Sequence, residues 1–344
     1  MAGIKVGLIG LGFMGEVHAR YFTANPKVER LAVASPVPAE REKAQAKYGA
    51  VVYEDYREML AKERPDAVDV CTPNATHPDM AVAGLEAGAN VLVEKPLALS
   101  LPEIDRALET ERRTGKKLLV AHSLRFSDAY AKGHELLVGG RIGDPVFLIG
   151  KYKWFKDFNK YSAWKRDSSA SGGGMLMQSG IHIVDTLVWY AGARPVEVSG
   201  RADKLIFKDF PIEDNFIGTI TFENGVLAHF IGSSATKGFI DYGVEVYGTT
   251  GALRVDSTAV PGSLDLDGHS VQLFQEQTDL GNQGVLMQPS LPRRDMWQVQ
   301  VNHFVDVAEG SAEPLVSGEA ARRTMQVLFG LYESARTGQP VRIQ

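Results

Sequence analysis

The chain has a single cysteine, Cys71, so it can form no disulfide within itself and no metal site built from several cysteines. So little cysteine is typical of a reducing compartment, and we expect a cytoplasmic protein without a bound metal. No run of about 18 apolar residues occurs, so no segment is expected to span a membrane. The formal net charge is −5 without long runs of one sign, which argues against nucleic acid or an anionic membrane as a partner.

The 344 residues favour two domains, because a typical domain has about 150 residues. Hydrophobic residues make up 44% and charged residues 23%, a balance typical of a globular protein with a large core. The apolar start at residues 4–13 lacks a basic flank and is rich in glycine. We therefore interpret it as a first β-strand and not as a secretion signal.

Short β-branched runs alternate with amphipathic helical stretches over the first third of the chain. The predicted strands are 4–10, 29–35, 51–53, 67–71, 90–94 and 117–121, and the predicted helices are 15–25, 39–48, 56–62, 78–87 and 101–114. Strands of nearly continuous apolar character, each followed by a helix, indicate a parallel sheet covered on both faces. Gly88 and Gly115 stand where helix C-caps are expected. Residues 1–122 are thus predicted to form a doubly wound α/β domain.

From residue 123 onward the pattern changes to longer alternating runs. The predicted strands are 145–153, 196–207, 215–222, 226–233, 243–248 and 252–255, the predicted helices are 128–138, 180–190, 295–309 and 318–337, and 276–292 is a predicted surface loop. Asn224–Gly225, between two of the runs, predicts a hairpin. Residues 123–344 are therefore predicted to form an α+β domain with a large, open, mostly antiparallel sheet, whose last helix can pack back on the first domain. An open sheet must cover its apolar side, which favours a homodimer or homotetramer formed through it.

A glycine motif follows the first predicted strand and opens the first predicted helix. Its members are Gly10, Gly12, Phe13, Met14 and Gly15. The glycines allow a tight turn, a close approach of the backbone to a diphosphate, and close contact between helix and strand. The N–H groups and positive dipole end of the helix then bind the diphosphate of a dinucleotide. The alternative is a glycine-rich turn without a ligand.

The end of the second predicted strand bears on the choice between NAD and NADP. A carboxylate there would bind the ribose hydroxyls and favour NAD, but this chain has Ser35. A small hydroxyl with Arg41 nearby suits a 2′-phosphate, so the sequence leans toward NADP. The alternative is that Arg41 is a solvated residue of the second helix.

Two further strand ends are expected to border the cofactor, because ligands bind at the carboxyl ends of the strands in such sheets. Thr72, Pro73 and Asn74 follow one strand, and Glu94, Lys95 and Pro96 follow the next. A lysine facing this crevice can hydrogen-bond the reacting oxygen and stabilise charge during hydride transfer, and burial would lower its pKa toward a working range. The Lys95–Pro96 bond can also be cis.

The segment 172–185, GGGMLMQSGIHIVD, leads from three glycines into a predicted helix. Gln178, His182 and Asp185 are spaced four and three residues apart and are predicted to share one helix face. His182 can exchange a proton near neutral pH, and Asp185 can orient it. The alternatives are a buried structural histidine and an Asp185 that only pairs with an arginine.

Taken together, these motifs resemble the glucose–fructose oxidoreductase / inositol dehydrogenase (Gfo/Idh/MocA) family, in order and spacing: GLGFMG at 10–15, CTPNATH at 71–77, EKP at 94–96 and GGGMLMQSGIHIVD at 172–185. The resemblance implies a Rossmann domain followed by a sheet domain that forms dimers or tetramers, and redox chemistry at a CH–OH carbon of a sugar or cyclitol. It also implies that Lys95 contacts substrate and cofactor and that His182 transfers a proton or binds substrate. Pro73, Asn74 and His77 would then line the cofactor, and Glu94 would lie beside the nicotinamide ribose.

One position departs from the family pattern. Many members have an aspartate four residues before the histidine, where this chain has Gln178. An amide cannot accept a proton, so acid–base chemistry would fall on His182, Lys95 or a tyrosine. Trp164 and Lys165, with Arg166, are candidates for the wall of the substrate site, or else ordinary loop anchors. The function predicted is an NAD(P)-dependent sugar or cyclitol oxidoreductase, and the alternatives are a cofactor-binding regulator without turnover and a redox-neutral enzyme that uses its cofactor transiently.

Overall fold

The computed structural model describes residues 3–238, 240–257, 269–275, 285–287, 289–292 and 294–344. The chain divides into two compact units, the first formed by residues 1–123 and 296–322 and the second by residues 124–295 and 323–344. The sequence had placed 296–322 in the second domain, whereas the structure groups this segment with the first unit. In the described part of the chain, no helix has the length and apolar character needed to cross a bilayer.

The first unit is built on a parallel sheet of six strands in the order β3-β2-β1-β4-β5-β6. The strands are β1 (Ile4–Ile9), β2 (Val28–Ala34), β3 (Val51–Tyr53), β4 (Ala67–Val70), β5 (Asn90–Val93) and β6 (Leu118–Val120). The helices between them are α1 (Phe13–Ala24), α2 (Pro38–Tyr48), α3 (Tyr56–Glu63), α4 (His77–Glu86) and α5 (Leu101–Thr114). Strand order reverses at β1 and β4, so the crevice for a ligand lies beyond their carboxyl ends. The doubly wound prediction is confirmed.

Local sequence explains the helix ends in this unit. Gly88 and Gly115 follow α4 and α5 with φ of +87° and +66°, left-handed values that glycine adopts without strain. The predicted C-caps are therefore confirmed.

Helix α10 (Met296–Glu309) completes the core of the first unit. Val301 and Phe304 are fully buried, and the Phe304 ring meets Phe22 of α1 edge-on with centroids 6.4 Å apart. This apolar contact explains why residues 296–322 belong to the first unit. The last helix, α11 (Gly318–Thr337), begins in the first unit and continues into the second.

The second unit is built on a sheet of nine strands in the order β14-β13-β12-β11-β7-β10-β9-β8-β15. The strands are β7 (Pro145–Lys153), β8 (Pro195–Asp203), β9 (Asn215–Phe222), β10 (Leu227–Ser233), β11 (Asp241–Gly248), β12 (Gly251–Ser257), β13 (His269–Gln275), β14 (Val285–Met287) and β15 (Val341–Arg342). Only β7 and β10 pair in parallel among these strands, so the predicted mostly antiparallel sheet is confirmed. Gly225, with φ of +84°, closes the predicted hairpin between β9 and β10.

The two faces of this sheet differ in exposure. Leu148 and Phe230 on one face are fully buried, and helix α9 (Ile181–Ala191) packs against that face so closely that a Cβ on Gly150 would contact its side chains. On the other face, Phe147 and Leu227 are 37% and 50% exposed. The period-two alternation of the sequence therefore corresponds to one packed face and one open, partly apolar face.

The other helices of the second unit are α6 (Asp128–Val138), α7 (Ala163–Arg166) and α8 (Ser168–Ser171), of which only α6 was predicted. A strand was predicted over 196–207, whereas the observed strand β8 ends at Asp203. Lys204 is no longer part of the sheet. Strand β13 was not predicted. Val285–Met287 within the predicted loop 276–292 is a strand, because it pairs with β13, and residues 276–284 and 288 lie outside the described residues.

Candidate active site

The loop after β1 has the geometry of the predicted glycine turn. Gly10 has φ of +89°, and a Cβ on Gly15 would overlap the carbonyl oxygen of Gly10, so both positions require glycine. Gly12 is the N-cap of α1, so the residue at this position supplies no capping side chain. A Cβ built on Gly12 would meet no described atom within 4 Å. Phe13 and Met14 follow in the first turn, with Phe13 77% exposed. The accessible backbone at this helix start fits the diphosphate of a dinucleotide.

Gly12 and Gly15 allow a matched test of this assignment. The Gly12→Ala variant is expected to fold as the wild type does, since its φ of −68° suits alanine, but to bind NADH about tenfold more weakly because the methyl group keeps the diphosphate from the backbone. The Gly15→Ala variant is expected to lower the melting temperature, because the methyl group overlaps the Gly10 carbonyl. Thermal melts and NADH fluorescence titrations measure both effects, and a Gly12→Ala variant with unchanged NADH affinity would contradict the assignment.

The residues at the end of β2 on which the predicted lean toward NADP rests, Ser35 and Arg41, both have intramolecular partners. Ser35 is 2% exposed, and its Oγ donates a hydrogen bond to Glu40 Oε2 at 2.6 Å. Arg41 donates from Nη1 to the Ser35 carbonyl at 2.7 Å, and its Nη2 lies 3.5 Å from Glu54 Oε2. Both side chains on which the lean toward NADP rested are thus engaged by neighbouring residues. Sequence reasoning missed Glu40, because its position in α2 does not reveal that its side chain turns back toward β2.

His77 joins the loops that follow β4 and β5. Its Nδ1 lies 2.7 Å from the Pro96 carbonyl oxygen and its Nε2 lies 2.8 Å from that of Thr72. The ring is 1% exposed, and burial lowers the pKa of His77. His77 thus connects the two loops from the buried side, and its contact with a cofactor stays a prediction. The other predicted residues of these loops are half-buried or buried: Thr72, Pro73, Asn74, Glu94 and Lys95.

Lys95 begins the loop after β5, where its side chain is half-buried and its bond to Pro96 is cis, as the sequence allowed. Its backbone N–H donates to Glu94 Oε2 at 3.1 Å. Glu94 Oε1 in turn lies 3.7 Å from Nε2 of His18 in α1. Burial raises the pKa of Glu94. Lys95 is thus attached to a buried polar cluster beneath the sheet edge.

His18 is the centre of that cluster and was not predicted. The ring is fully buried, and its Nδ1 donates to Asp69 Oδ2 at 2.7 Å. Burial alone would lower the pKa of His18, but the charge and hydrogen bond of Asp69, with a smaller contribution from Glu94, raise it. A histidine within the apolar face of α1 was the available signal in the sequence.

The same cluster brings potential metal ligands together, since one atom from each of His18, Asp69 and Cys71 lies within 4.8 Å of the others. Burial raises the pKa of the Cys71 thiol well above its ordinary value, and Asp69 already bonds His18. A protonated thiol is a poor ligand, so the arrangement is better described as a buried hydrogen-bond network.

The raised pKa of His18 predicts a pH-dependent stability. A group whose pKa is raised by folding stabilises the fold below its unfolded value, here 6.5, and this contribution is lost as the pH rises through the folded value. Glu94 acts in the same direction, because its raised pKa makes ionisation unfavourable. The wild-type melting temperature should therefore fall more steeply than that of His18→Gln as the pH rises above 6.5. Parallel slopes of melting temperature against pH would show that His18 does not titrate as inferred.

In the second unit, Glu213 shapes the triple-glycine segment. Its carboxylate accepts hydrogen bonds from Gly174 N at 2.7 Å, from Leu176 N at 2.9 Å and from the Tyr332 hydroxyl at 2.9 Å. A Cβ on Gly174 would overlap the Glu213 backbone, and one on Gly173 would overlap the Tyr332 hydroxyl. The glycines are thus required by close packing. No local pattern in the sequence pointed to Glu213, which is distant along the chain.

A π-helical turn, Leu176–Gly180, leads from this segment into α9 and its first-turn residue His182. His182 is half-buried, and Gln178 donates from Nε2 to the carbonyls of Lys165 at 2.8 Å and Gly173 at 3.0 Å. The predicted helix is confirmed, but the predicted common face of positions 178, 182 and 185 assumed α-helical spacing throughout. The π turn changes that spacing, and single π turns are frequent at functional sites.

Asp185 pairs with an arginine in the interior of the second unit. It is fully buried, and its Oδ2 and Oδ1 accept hydrogen bonds from Nε and Nη2 of Arg125, both at 2.8 Å. Thr324 Oγ1 donates a further bond to Oδ1 at 2.9 Å. The hydrogen bonds of this carboxylate are thus made within the second unit. The pairing with an arginine, the alternative considered from the sequence, is what the structure shows.

Trp164 and Lys165 lie on the short helix α7 and are both half-buried. Lys165 Nζ lies 5.5 Å from the Trp164 ring and 5.7 Å from the Tyr161 ring. Lys156 Nζ lies 3.6 Å from the ring of Trp154, and burial, with the charge of Lys165, lowers the pKa of Lys156. Cations and aromatic rings thus alternate along this part of the second unit.

Two family models match the chain. Residues 4–122 match an oxidoreductase family with an NAD-binding Rossmann fold, and residues 130–254 match the GFO/IDH/MocA C-terminal domain. The two matches cover the glycine loop, both loops after β4 and β5, and the segment that bears His182.

Individual proteins are similar over most of their length. An uncharacterised oxidoreductase of Bacillus subtilis (strain 168), YrbE, is 30% identical over 260 residues, 74% of each chain. The scyllo-inositol 2-dehydrogenase (NAD(+)) of the same organism is 27% identical over 356 residues, 99% of this chain and 96% of its own. The crystal structure of GenD2 from gentamicin A biosynthesis in complex with NAD superposes with a TM-score of 0.84 at 26% identity and covers 100% of this chain and 97% of its own.

Proposed function

Since this chain belongs to the GFO/IDH/MocA family of oxidoreductases, we propose that it transfers a hydride between NAD(P) and a CH–OH or C=O carbon of a sugar, a cyclitol or a related polyol. One observation supports this most: the accessible helix start at Gly12 and the half-buried Lys95 both follow the carboxyl ends of strands in one parallel sheet. The scyllo-inositol dehydrogenase among its relatives is named for a cyclitol and for NAD(+).

The nicotinamide ring, when bound, supplies the hydride acceptor or donor. We assign proton transfer and charge stabilisation at the reacting oxygen to Lys95. Its neutral amine accepts the hydroxyl proton at Nζ when the alcohol is oxidised, and its ammonium group donates that proton back to the oxygen when the carbonyl is reduced. Glu94 accepts the backbone N–H of Lys95 and is itself held near His18, so the start of the lysine loop is anchored from the buried side.

His182 is proposed as the second proton-transferring group. Glu213 binds the backbone of the segment that leads into α9. These hydrogen bonds fix the start of the helix that carries the His182 side chain. The Gln178 amide nitrogen donates hydrogen bonds to the carbonyls of Lys165 and Gly173. Because an amide accepts no proton, we assign acid–base catalysis to Lys95 and His182. Trp164 and Lys165 offer an apolar ring and a hydrogen-bond donor to a polyhydroxylated substrate.

The sheet of the second unit is proposed to pair with the sheet of another copy. Its open face carries Phe147, Ile217, Leu227 and Tyr247, each at least 37% exposed, and apolar patches of this kind are typical of interfaces. Light scattering is expected to show a dimer or a tetramer, and the Leu227→Glu variant should shift the mass toward the monomer. A monomeric wild type would contradict this part of the proposal.

A panel of sugars and cyclitols with NAD and with NADP, monitored at the absorbance band of the reduced nicotinamide, tests the function. A net change in absorbance that depends on one class of polyol is the expected result. Product formed without net absorbance change would indicate a redox-neutral enzyme. Nucleotide binding without any product would indicate a regulator, and either outcome would overturn the proposal.

A further inference from the structure

A carboxylate reaches the end of β2 from an unexpected element. Glu40 is the third residue of α2, and its side chain turns back over the carboxyl edge of the sheet. Its Oε2 accepts the backbone N–H of Leu11 at 3.2 Å and the Ser35 hydroxyl at 2.6 Å. One carboxylate thus joins the glycine loop after β1 to the residue that follows β2.

Both partners of this carboxylate are uncharged hydrogen-bond donors, the Leu11 backbone N–H and the Ser35 hydroxyl. The neighbouring guanidinium of Arg41 points to the Ser35 carbonyl and to Glu54. Both hydrogen bonds of Glu40 fall on Oε2, and a carboxylate has about four lone-pair sites, so Oε1 can accept a ligand hydroxyl.

We propose that Glu40 binds the 2′-hydroxyl of the adenosine ribose and makes the chain prefer NAD(H) over NADP(H). This inference rests on the proposed use of a nicotinamide dinucleotide. In doubly wound sheets a carboxylate at the end of the second strand binds the ribose 2′-hydroxyl. Here the strand end supplies only Ser35, and the carboxylate is delivered by α2. A hydroxyl donates to this carboxylate, whereas a 2′-phosphate brings a like charge against it.

The position of Ser35 supports the same conclusion. Its hydroxyl donates to Glu40 and accepts the Val37 N–H at 3.1 Å. The hydroxyl that suggested a 2′-phosphate site is therefore a brace that sets the orientation of the Glu40 carboxylate.

Equilibrium titration of the full-length protein with NADH and with NADPH, followed by nucleotide fluorescence without substrate, tests the inference. We expect the wild type to bind NADH at least about tenfold more tightly than NADPH, a difference of roughly 1.4 kcal/mol. The Glu40→Gln variant keeps the size and an acceptor oxygen for Leu11 and Ser35 but loses the charge. Its preference should fall by about tenfold, through weaker NADH and tighter NADPH binding.

The matched control is Glu42→Gln, which removes one charge from an exposed position of the same helix and should leave the preference unchanged. Thermal melts confirm that both variants are folded. A wild type without preference, or a Glu40→Gln variant with the wild-type ratio, would overturn the role of Glu40 while leaving the proposed function intact. A wild type that binds neither nucleotide would overturn the proposed function, and this inference with it.

Discussion

Replacing Lys95 with methionine is expected to lower kcat/KM by on the order of 10³-fold or more, while the dissociation constant for NADH stays near the wild-type value. Methionine keeps the length and the apolar stem of lysine and removes only the charge and the proton. Because Lys95 is assigned to charge that develops at the reacting oxygen, kcat and kcat/KM should fall together. Steady-state kinetics and fluorescence titration measure the two effects separately.

The control for this variant is Lys117→Met. Lys117 precedes β6 at the opposite, amino-terminal edge of the same sheet, where it pairs with Glu313 at 2.8 Å on the surface. Its replacement should leave both kinetics and nucleotide binding unchanged. Substantial turnover in Lys95→Met would refute the proposed role, and an equal loss of NADH binding and of kcat/KM would assign Lys95 to the cofactor instead of the chemistry.

Replacing Asp185 with alanine is expected to destabilise the second unit by about 3–5 kcal/mol. The variant leaves the Arg125 guanidinium buried, with 6% of its side chain exposed, and without the carboxylate that accepts two of its hydrogen bonds. Urea unfolding followed by tryptophan fluorescence is a direct measurement, since the ring of Trp189 lies 5.2 Å from this guanidinium. The midpoint should shift to clearly lower urea concentration.

A surface pair provides the comparison. Glu333 and Arg336 form an exposed ion pair three residues apart on α11, and Glu333→Ala should produce no measurable shift. If Asp185→Ala unfolded at the wild-type midpoint but raised KM for the polyol, the carboxylate would face the substrate. Asp185 would then be a substrate ligand and not only the structural partner of Arg125.

The sequence predicted the first unit well because its elements are determined locally. Most of its strands are short and largely apolar, and Gly88 and Gly115 end two helices through their own backbone conformations. The glycine loop is likewise readable, since its three glycines follow a strand and open a helix.

The arrangement of side chains was harder to predict, because it depends on contacts between distant segments. Asp185 was predicted to share a helix face with His182 and to orient it, but its partner Arg125 is sixty residues away in the chain. Glu213 stabilises Gly174 across a separation of 39 residues, and no periodicity signals such a contact. Glu40 is near Ser35 in sequence, yet only the backbone path from β2 into α2 shows that its carboxylate returns to the strand end.

Deuterium transfer is the most direct test of the central claim, that this chain moves a hydride between a polyol carbon and a nicotinamide. The polyol with the highest turnover in the panel would be labelled with deuterium at the reacting carbon, and the reduced nucleotide analysed by NMR and mass spectrometry. The account predicts one deuterium in the nicotinamide ring of each reduced nucleotide formed. A nucleotide that remains oxidised while product accumulates, or one reduced without the label, would contradict it.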